Sequence, residues 1–147
     1  MFKGAYTAII TPMRKDGSVN YDGLDRLLDF QIENGIQGII AVGTTGESPT
    51  LLWEEHNEVI ERTCNKTSEK CLSVAGTGSN STRETLAGTA HAAHSGADAV
   101  LLVDPYYNGP SSLEIRREYV EPVAKQFPQL QVIPYIIPGR TGTMMQV

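Results

Sequence analysis

The sequence predicts an α/β protein of βαβ units around a parallel sheet, and three observations carry that reading. Short apolar runs alternate with longer amphipathic stretches, the links between them are short, and the segments richest in Gly, Thr, Tyr and Arg follow the apolar runs. Strands alternating with helices of roughly 10–15 residues are the pattern of βαβ units. Parallel neighbours need such crossovers, because a tight turn cannot return the chain to the same end of the sheet.

The first apolar run is Ala5–Ile10, closed by Thr11-Pro12. Tyr21–Asn34 then shows helical spacing through Leu24, Leu27, Leu28 and Ile32, with Gly35 as the residue past its end. Gly38–Val42 is a second strand. Trp53–Cys64 is a second helix, with Val59 and Ile60 inward and acidic residues outside. Leu72–Ala75 is a third strand, and Ser81 or Thr82 is positioned to cap the helix running through Ala93. Asp98–Val103 is a fourth strand, Leu113–Gln126 a fourth helix and Gln131–Ile136 a fifth strand.

A faint repeat supports the pattern. Asn34-Gly35-Ile36-Gln37-Gly38-Ile39-Ile40 resembles Ser95-Gly96-Ala97-Asp98-Ala99-Val100-Leu101, a glycine stopping a helix just before an apolar strand. Near-continuous apolar strands predict a sheet covered on both faces. Five strands and four helices fit either an open doubly wound sheet or the front of a barrel. Both architectures put the site at the C-terminal ends of the strands.

With 147 residues, 40% hydrophobic and 20% charged, the chain reads as one domain of a soluble globular protein. No apolar run reaches the roughly 20 residues of a membrane helix, and Met1-Phe2-Lys3-Gly4 carries no signal-peptide pattern. A cytoplasmic location is therefore expected. The net charge of −5 argues against nucleic acid or an anionic membrane as the main partner. Cys64 and Cys71 read as reduced structural thiols, and His91 and His94, one turn apart without a third ligand, as surface residues. No metal and no cofactor are expected.

Chemistry concentrates after the strands. After the second comes Gly43-Thr44-Thr45-Gly46-Glu47-Ser48-Pro49-Thr50. Its glycines permit a tight turn in which the amides of Thr44 and Thr45 can converge on a carboxylate, although an ordinary βα turn has the same composition. After the fourth comes Asp104-Pro105-Tyr106-Tyr107-Asn108-Gly109-Pro110, whose tyrosines can pack or relay protons. After the fifth comes Tyr135-Ile136-Ile137-Pro138-Gly139-Arg140-Thr141-Gly142, where Arg140 suits a fork for a carboxylate.

Together these segments resemble the pyruvate-dependent class I aldolases of the dihydrodipicolinate synthase and N-acetylneuraminate lyase superfamily, most closely its dihydrodipicolinate synthase branch. The resemblance runs from Phe2 to Val147, and Gly-Thr-Thr-Gly-Glu-Ser-Pro-Thr-Leu is its most specific string. It implies a (β/α)8 TIM barrel, of which residues 1–147 supply about the first five strands and four helices. It also implies condensation of pyruvate, bound to a lysine as a Schiff base, with L-aspartate 4-semialdehyde in lysine and diaminopimelate biosynthesis. On that basis Thr45 and neighbouring amides hold the pyruvate carboxylate, and Thr44, Tyr107 and Tyr135 form a hydroxyl relay. The Tyr107 position reaches a neighbouring subunit's site across a tight dimer. Arg140 binds the semialdehyde carboxylate, which favours this branch over aldolases of 2-keto-3-deoxy sugar acids. Ser48, His56, Asn80, Glu84 and Tyr106 fall where L-lysine binds as feedback inhibitor, with His56 expected at the rim, on a helix surface. A dimer of dimers is the implied assembly.

The nucleophilic lysine is the departure. A class I aldolase needs an amine in a dry pocket, where desolvation lowers its pKa. Lys3, Lys15, Lys66, Lys70 and Lys125 all fall in turns, near helix ends or ahead of strands. The resemblance places the required lysine on a sixth strand, beyond Val147, and a complete barrel takes about 250 residues. The expectation is therefore an inactive N-terminal part of a working enzyme, or else a non-catalytic half-barrel that associates with another chain. Leu52 stands where a polar helix cap is usual, and Ile136 where relatives often carry Asn.

Overall fold

A computed structural model describes residues 3–146, so Met1, Phe2 and Val147 at the ends of the expected span lie outside the described residues. The strands are β1 (Tyr6–Ala8), β2 (Gly38–Ala41), β3 (Leu72–Gly76), β4 (Ala99–Val103) and β5 (Gln131–Tyr135). They form one sheet in the order β1-β2-β3-β4-β5, and every pairing is parallel. Sequential parallel order is what a barrel wall requires, whereas a doubly wound sheet reverses partway.

The helices are α1 (Tyr21–Glu33), α2 (Trp53–Thr67) and α3 (Thr82–His94). The side chain of Asn20 caps α1 by accepting from the Gly23 amide at 3.0 Å, and Gly35 leaves it at φ +77°. Leu24 and Leu28, four apart on one face, are completely buried. Leu52 offers no cap to α2, but the Glu55 carboxylate accepts from the Leu52 amide at 3.0 Å. Ser81, rather than Thr82, caps α3, accepting from the Glu84 amide at 3.4 Å.

The fourth helix departs from the regular one its periodicity predicts. It starts at Ser112–Glu114, widens to a π-helix over Ile115–Val120 and resumes at Glu121–Gln126; we call the whole α4. The reason is Pro122, which cannot donate to the Glu118 carbonyl one turn back. That carbonyl accepts instead from the Thr82 hydroxyl at 2.9 Å. A short helix α5 (Pro138–Thr141) follows β5.

The register shows which face is covered. Ile39, Ala41, Ala75, Val100 and Leu102 alternate onto the helix side, and none is more than 2% exposed. Ile40, Leu101, Val103 and Ile133 point the other way and are only half-buried. Coverage is therefore complete on the helix side and partial on the other, where Val74 and Ala99 are closed off at 1% and 0% while Leu101 and Val103 line a hollow. Just past β1, Ile9 is buried on the helix side at 3% and Ile10 is open at 55%. Pro134 sits in β5 at the sheet's edge, where a missing N–H costs no ladder bond within this sheet. Among the described residues, no helix is long and apolar enough to cross a membrane.

Candidate active site at the strand ends

The turn after β2 is under strain. Val42 has φ +47° and Glu47 φ +57°, a region β-branched Val rarely enters. Two glycines hold it there. A Cβ on Gly76 would overlap the Val42 carbonyl, and one on Gly46 would crowd the Val42 backbone at 3.1 Å. The Thr11 hydroxyl pins the turn by donating to the Gly46 carbonyl at 2.7 Å. The turn closes through the Glu47 amide to the Thr44 carbonyl, 3.2 Å, and the Ser48 amide to the Gly43 carbonyl, 3.4 Å.

This turn roofs a cavity of about 320 Å³ at the C-terminal ends of the strands. Gly76, Leu101, Val103 and Tyr135 line its strand side, while Thr44, Ser48, Tyr106 and Arg140 reach it from the loops. Two segments distant in the chain, the turn after β2 with Thr44 and the end of β5 with its following helix, thus bring Thr44, Tyr135 and Arg140 to one space. Thr45 and Tyr107 do not line it: both are exposed, and Tyr107 stands 93% exposed with φ +74°. Tyr107 points away from the cavity its own chain forms.

A second cavity of about 190 Å³ adjoins the first, sharing Ser48, Pro49, Gly78 and Tyr106 with it. Its other walls include Trp53, His56, Ser79 and Glu84. Asn80 does not line it. Glu84 is oriented by the Ser79 hydroxyl, which donates to its carboxylate at 2.6 Å.

His56 corrects the expectation of a rim residue. It is 2% exposed, packed edge-on against the Trp53 ring at 5.0 Å, and its Nδ1 has no hydrogen-bond partner. Burial holds its pKa down to about 4, against the opposing pull of a hydrogen bond with the Gly76 backbone. The apolar spacing of α2 puts position 56 on the face shared by Val59, Ile60 and Thr63, so the helix stripe is broader than aliphatic residues alone suggest. His91 is likewise half-buried rather than on the surface: its Nε2 lies 3.1 Å from the Asn57 carbonyl.

Two residues of the site region are not singled out by the sequence. The Tyr119 hydroxyl donates to the Val103 carbonyl at 2.9 Å and accepts from the Ser79 amide at 3.1 Å, tying β4 to the loop between the cavities. Burial pushes its pKa up to about 12, with hydrogen bonds from Thr85 and Ser79 opposing. Asp104 is 1% exposed, and burial raises its pKa despite a bond from the Met145 amide. A carboxylate ending an apolar strand ahead of proline is the only sequence signal for it. Neither cavity is lined by a lysine, and the described residues hold no cluster of three or more His, Cys, Asp or Glu able to bind a metal.

A sequentially ordered parallel sheet, helices on its outer face and a polar-rimmed hollow at the strand ends define a β/α-barrel protein, of which these residues form the front part. More narrowly, the chain belongs to the dihydrodipicolinate synthetase family, whose model matches residues 1–147. It is 49% identical over 142 residues to the 4-hydroxy-tetrahydrodipicolinate synthase of Syntrophus aciditrophicus, covering 97% of this chain and 48% of that protein. Its fold matches the dihydrodipicolinate synthase of Acinetobacter baumannii complexed with pyruvate, with a TM-score of 0.94 and 43% identity over 99% of this chain and 50% of that one. It also matches the enzyme of Cyanidioschyzon merolae with lysine bound, with a TM-score of 0.91 and 40% identity over 96% of this chain and 48% of that one. The chain spans about half the length of the relatives it matches.

Proposed function

We propose that the full-length protein is a 4-hydroxy-tetrahydrodipicolinate synthase, a lyase that condenses pyruvate with L-aspartate 4-semialdehyde through a Schiff base. The observation that carries the reading is the convergence of Thr44, from the turn after β2, with Tyr135 and Arg140, from the end of β5 and the helix after it, on one cavity. A keto acid joined to an amine loses its carbonyl oxygen as water, so protons must be delivered to that oxygen and withdrawn from the amine. Hydroxyls of Thr44 and Tyr135 beside the cavity suit that transfer. Thr45 and the neighbouring amides are assigned the pyruvate carboxylate, and Arg140 the carboxylate of the aldehyde. The amine comes from a lysine outside residues 1–147.

Tyr107 completes the relay in a neighbouring subunit, which its outward, 93% exposed position suits. The second cavity is assigned to L-lysine as feedback inhibitor, through Ser48, His56, Glu84 and Tyr106, with Asn80 next in the chain to Ser79 of its wall. The Cyanidioschyzon relative with bound lysine supports that assignment. A homo-oligomer, a dimer of dimers, follows from the same reading, as does a cytoplasmic location.

The test is turnover of pyruvate and L-aspartate 4-semialdehyde by the full-length protein, with Arg140→Ala beside it. Loss of a charge-assisted bond predicts a rise of roughly tenfold or more in the semialdehyde KM, with the pyruvate KM little changed. Cleavage of a 2-keto-3-deoxy sugar acid without semialdehyde turnover would replace this reading with the sugar-acid aldolase. Turnover of neither would leave the non-catalytic half-barrel.

A further inference from the structure

Asp104 is the one fully buried carboxylate among the described residues. An ionised carboxylate is expensive to bury and persists where it is bonded to something that matters. Its surroundings are specific. Its backbone amide donates to the Tyr135 carbonyl at 3.2 Å, extending the β4–β5 ladder by one residue. Its side-chain Oδ2 accepts from the Met145 amide at 3.0 Å. One residue therefore grips both ends of the segment from Tyr135 to Met145, and that segment carries Arg140 into the larger cavity.

Neighbouring bonds reinforce the far grip without duplicating it. The Thr143 hydroxyl donates to the Pro105 carbonyl at 3.0 Å, and the Thr141 hydroxyl to the Thr143 carbonyl at 3.0 Å. The Gln146 amide donates to the Ser112 hydroxyl at 2.8 Å. Arg140 itself is exposed and stands on a helix of four residues, too short to fix a side chain on its own. What fixes its position is the closure of its loop.

We infer that Asp104 is a positioning residue: by holding both ends of the Tyr135–Met145 loop it sets where the Arg140 guanidinium meets an anionic co-substrate. The inference builds on the proposed function, but its geometric half can be read without any turnover.

The experiment uses the full-length protein with Asp104→Asn and Asp104→Ala. Asn keeps an oxygen acceptor for the Met145 amide and Ala removes it. In hydrogen exchange, Asp104→Ala is expected to speed exchange of peptides covering 136–146, with β2 and β3 unchanged and Asp104→Asn close to the parent. In steady-state kinetics, Asp104→Ala is expected to raise the semialdehyde KM by roughly tenfold, with the pyruvate KM unchanged and Asp104→Asn restoring most of the loss. Unchanged exchange over 136–146 in the Ala variant overturns the inference. So does a fall in kcat alone with both KM values unchanged, because that reports lost folded enzyme rather than a misplaced arginine. If the parent does not turn over the semialdehyde, the functional reading fails while the exchange data still decide the role of Asp104.

Discussion

The buried imidazole of His56 makes stability depend on pH in a window that can be worked out in advance. An unfolded histidine titrates near 6.5, whereas the folded site holds His56 at about 4 because burial disfavours the cation. The folded state therefore prefers the neutral ring. As pH falls below 6.5 the unfolded chain takes up a proton that the folded chain refuses, and stability is lost until both forms are protonated below about 4. At about 1.4 kcal/mol per pH unit, the full gap corresponds to about 3 kcal/mol, of which about 2 is gone by pH 5. Removing the group removes that slope. Urea midpoints of the full-length protein and of His56→Gln should be compared at pH 7.5 and pH 5. With a urea dependence of roughly 1–3 kcal/mol per molar, the parent should lose roughly 1 M more of midpoint than the variant. Its imidazole resonance should also stay that of the neutral ring between those two pH values. Equal pH dependence in parent and variant, or a His56 resonance that titrates near 6.5, would refute the burial argument.

The site and the open face set three further outcomes. Across an L-lysine titration, Glu84→Ala should lose most of the parent's inhibition, since Glu84 faces the smaller cavity as a fixed anion; equal inhibition of the two proteins would end that assignment. A polypeptide of residues 1–147 alone should aggregate or form an oligomer that binds a hydrophobic dye. Its edge strands leave backbone groups unpaired, and Ile10 and Met144 are more than half exposed. Incubated with pyruvate and borohydride it should keep its mass, because no lysine lines either cavity. A well-behaved monomer melting cooperatively above about 50 °C, or a stable pyruvate adduct on any of its five lysines, would contradict this.

The sequence by itself determined the local structure. Periodicity, caps and glycine stops depend on residues within a turn or two of each other, so elements are legible from local pattern, as α1 is from Leu24, Leu28 and Gly35 and the start of α3 from Ser81. It also picked out loops that meet the larger cavity, because Gly43-Thr44-Thr45-Gly46 and Tyr106-Tyr107 are each contiguous in the chain. What tertiary structure decided is everything that depends on neighbours distant in the chain. The π-helix in α4 answers Pro122, but it is secured by Thr82, 36 residues away. Edge position and the alternation of β1 and β2 decided that Ile9 is buried while Ile10 is not. The burial of His56 depends on the end of β3 at Gly76, 20 residues on, and the burial of Asp104 on a loop 41 residues downstream. A buried charge or imidazole leaves little trace in sequence, since its cost and its compensation arise only once water has been excluded by segments that the local pattern does not pair.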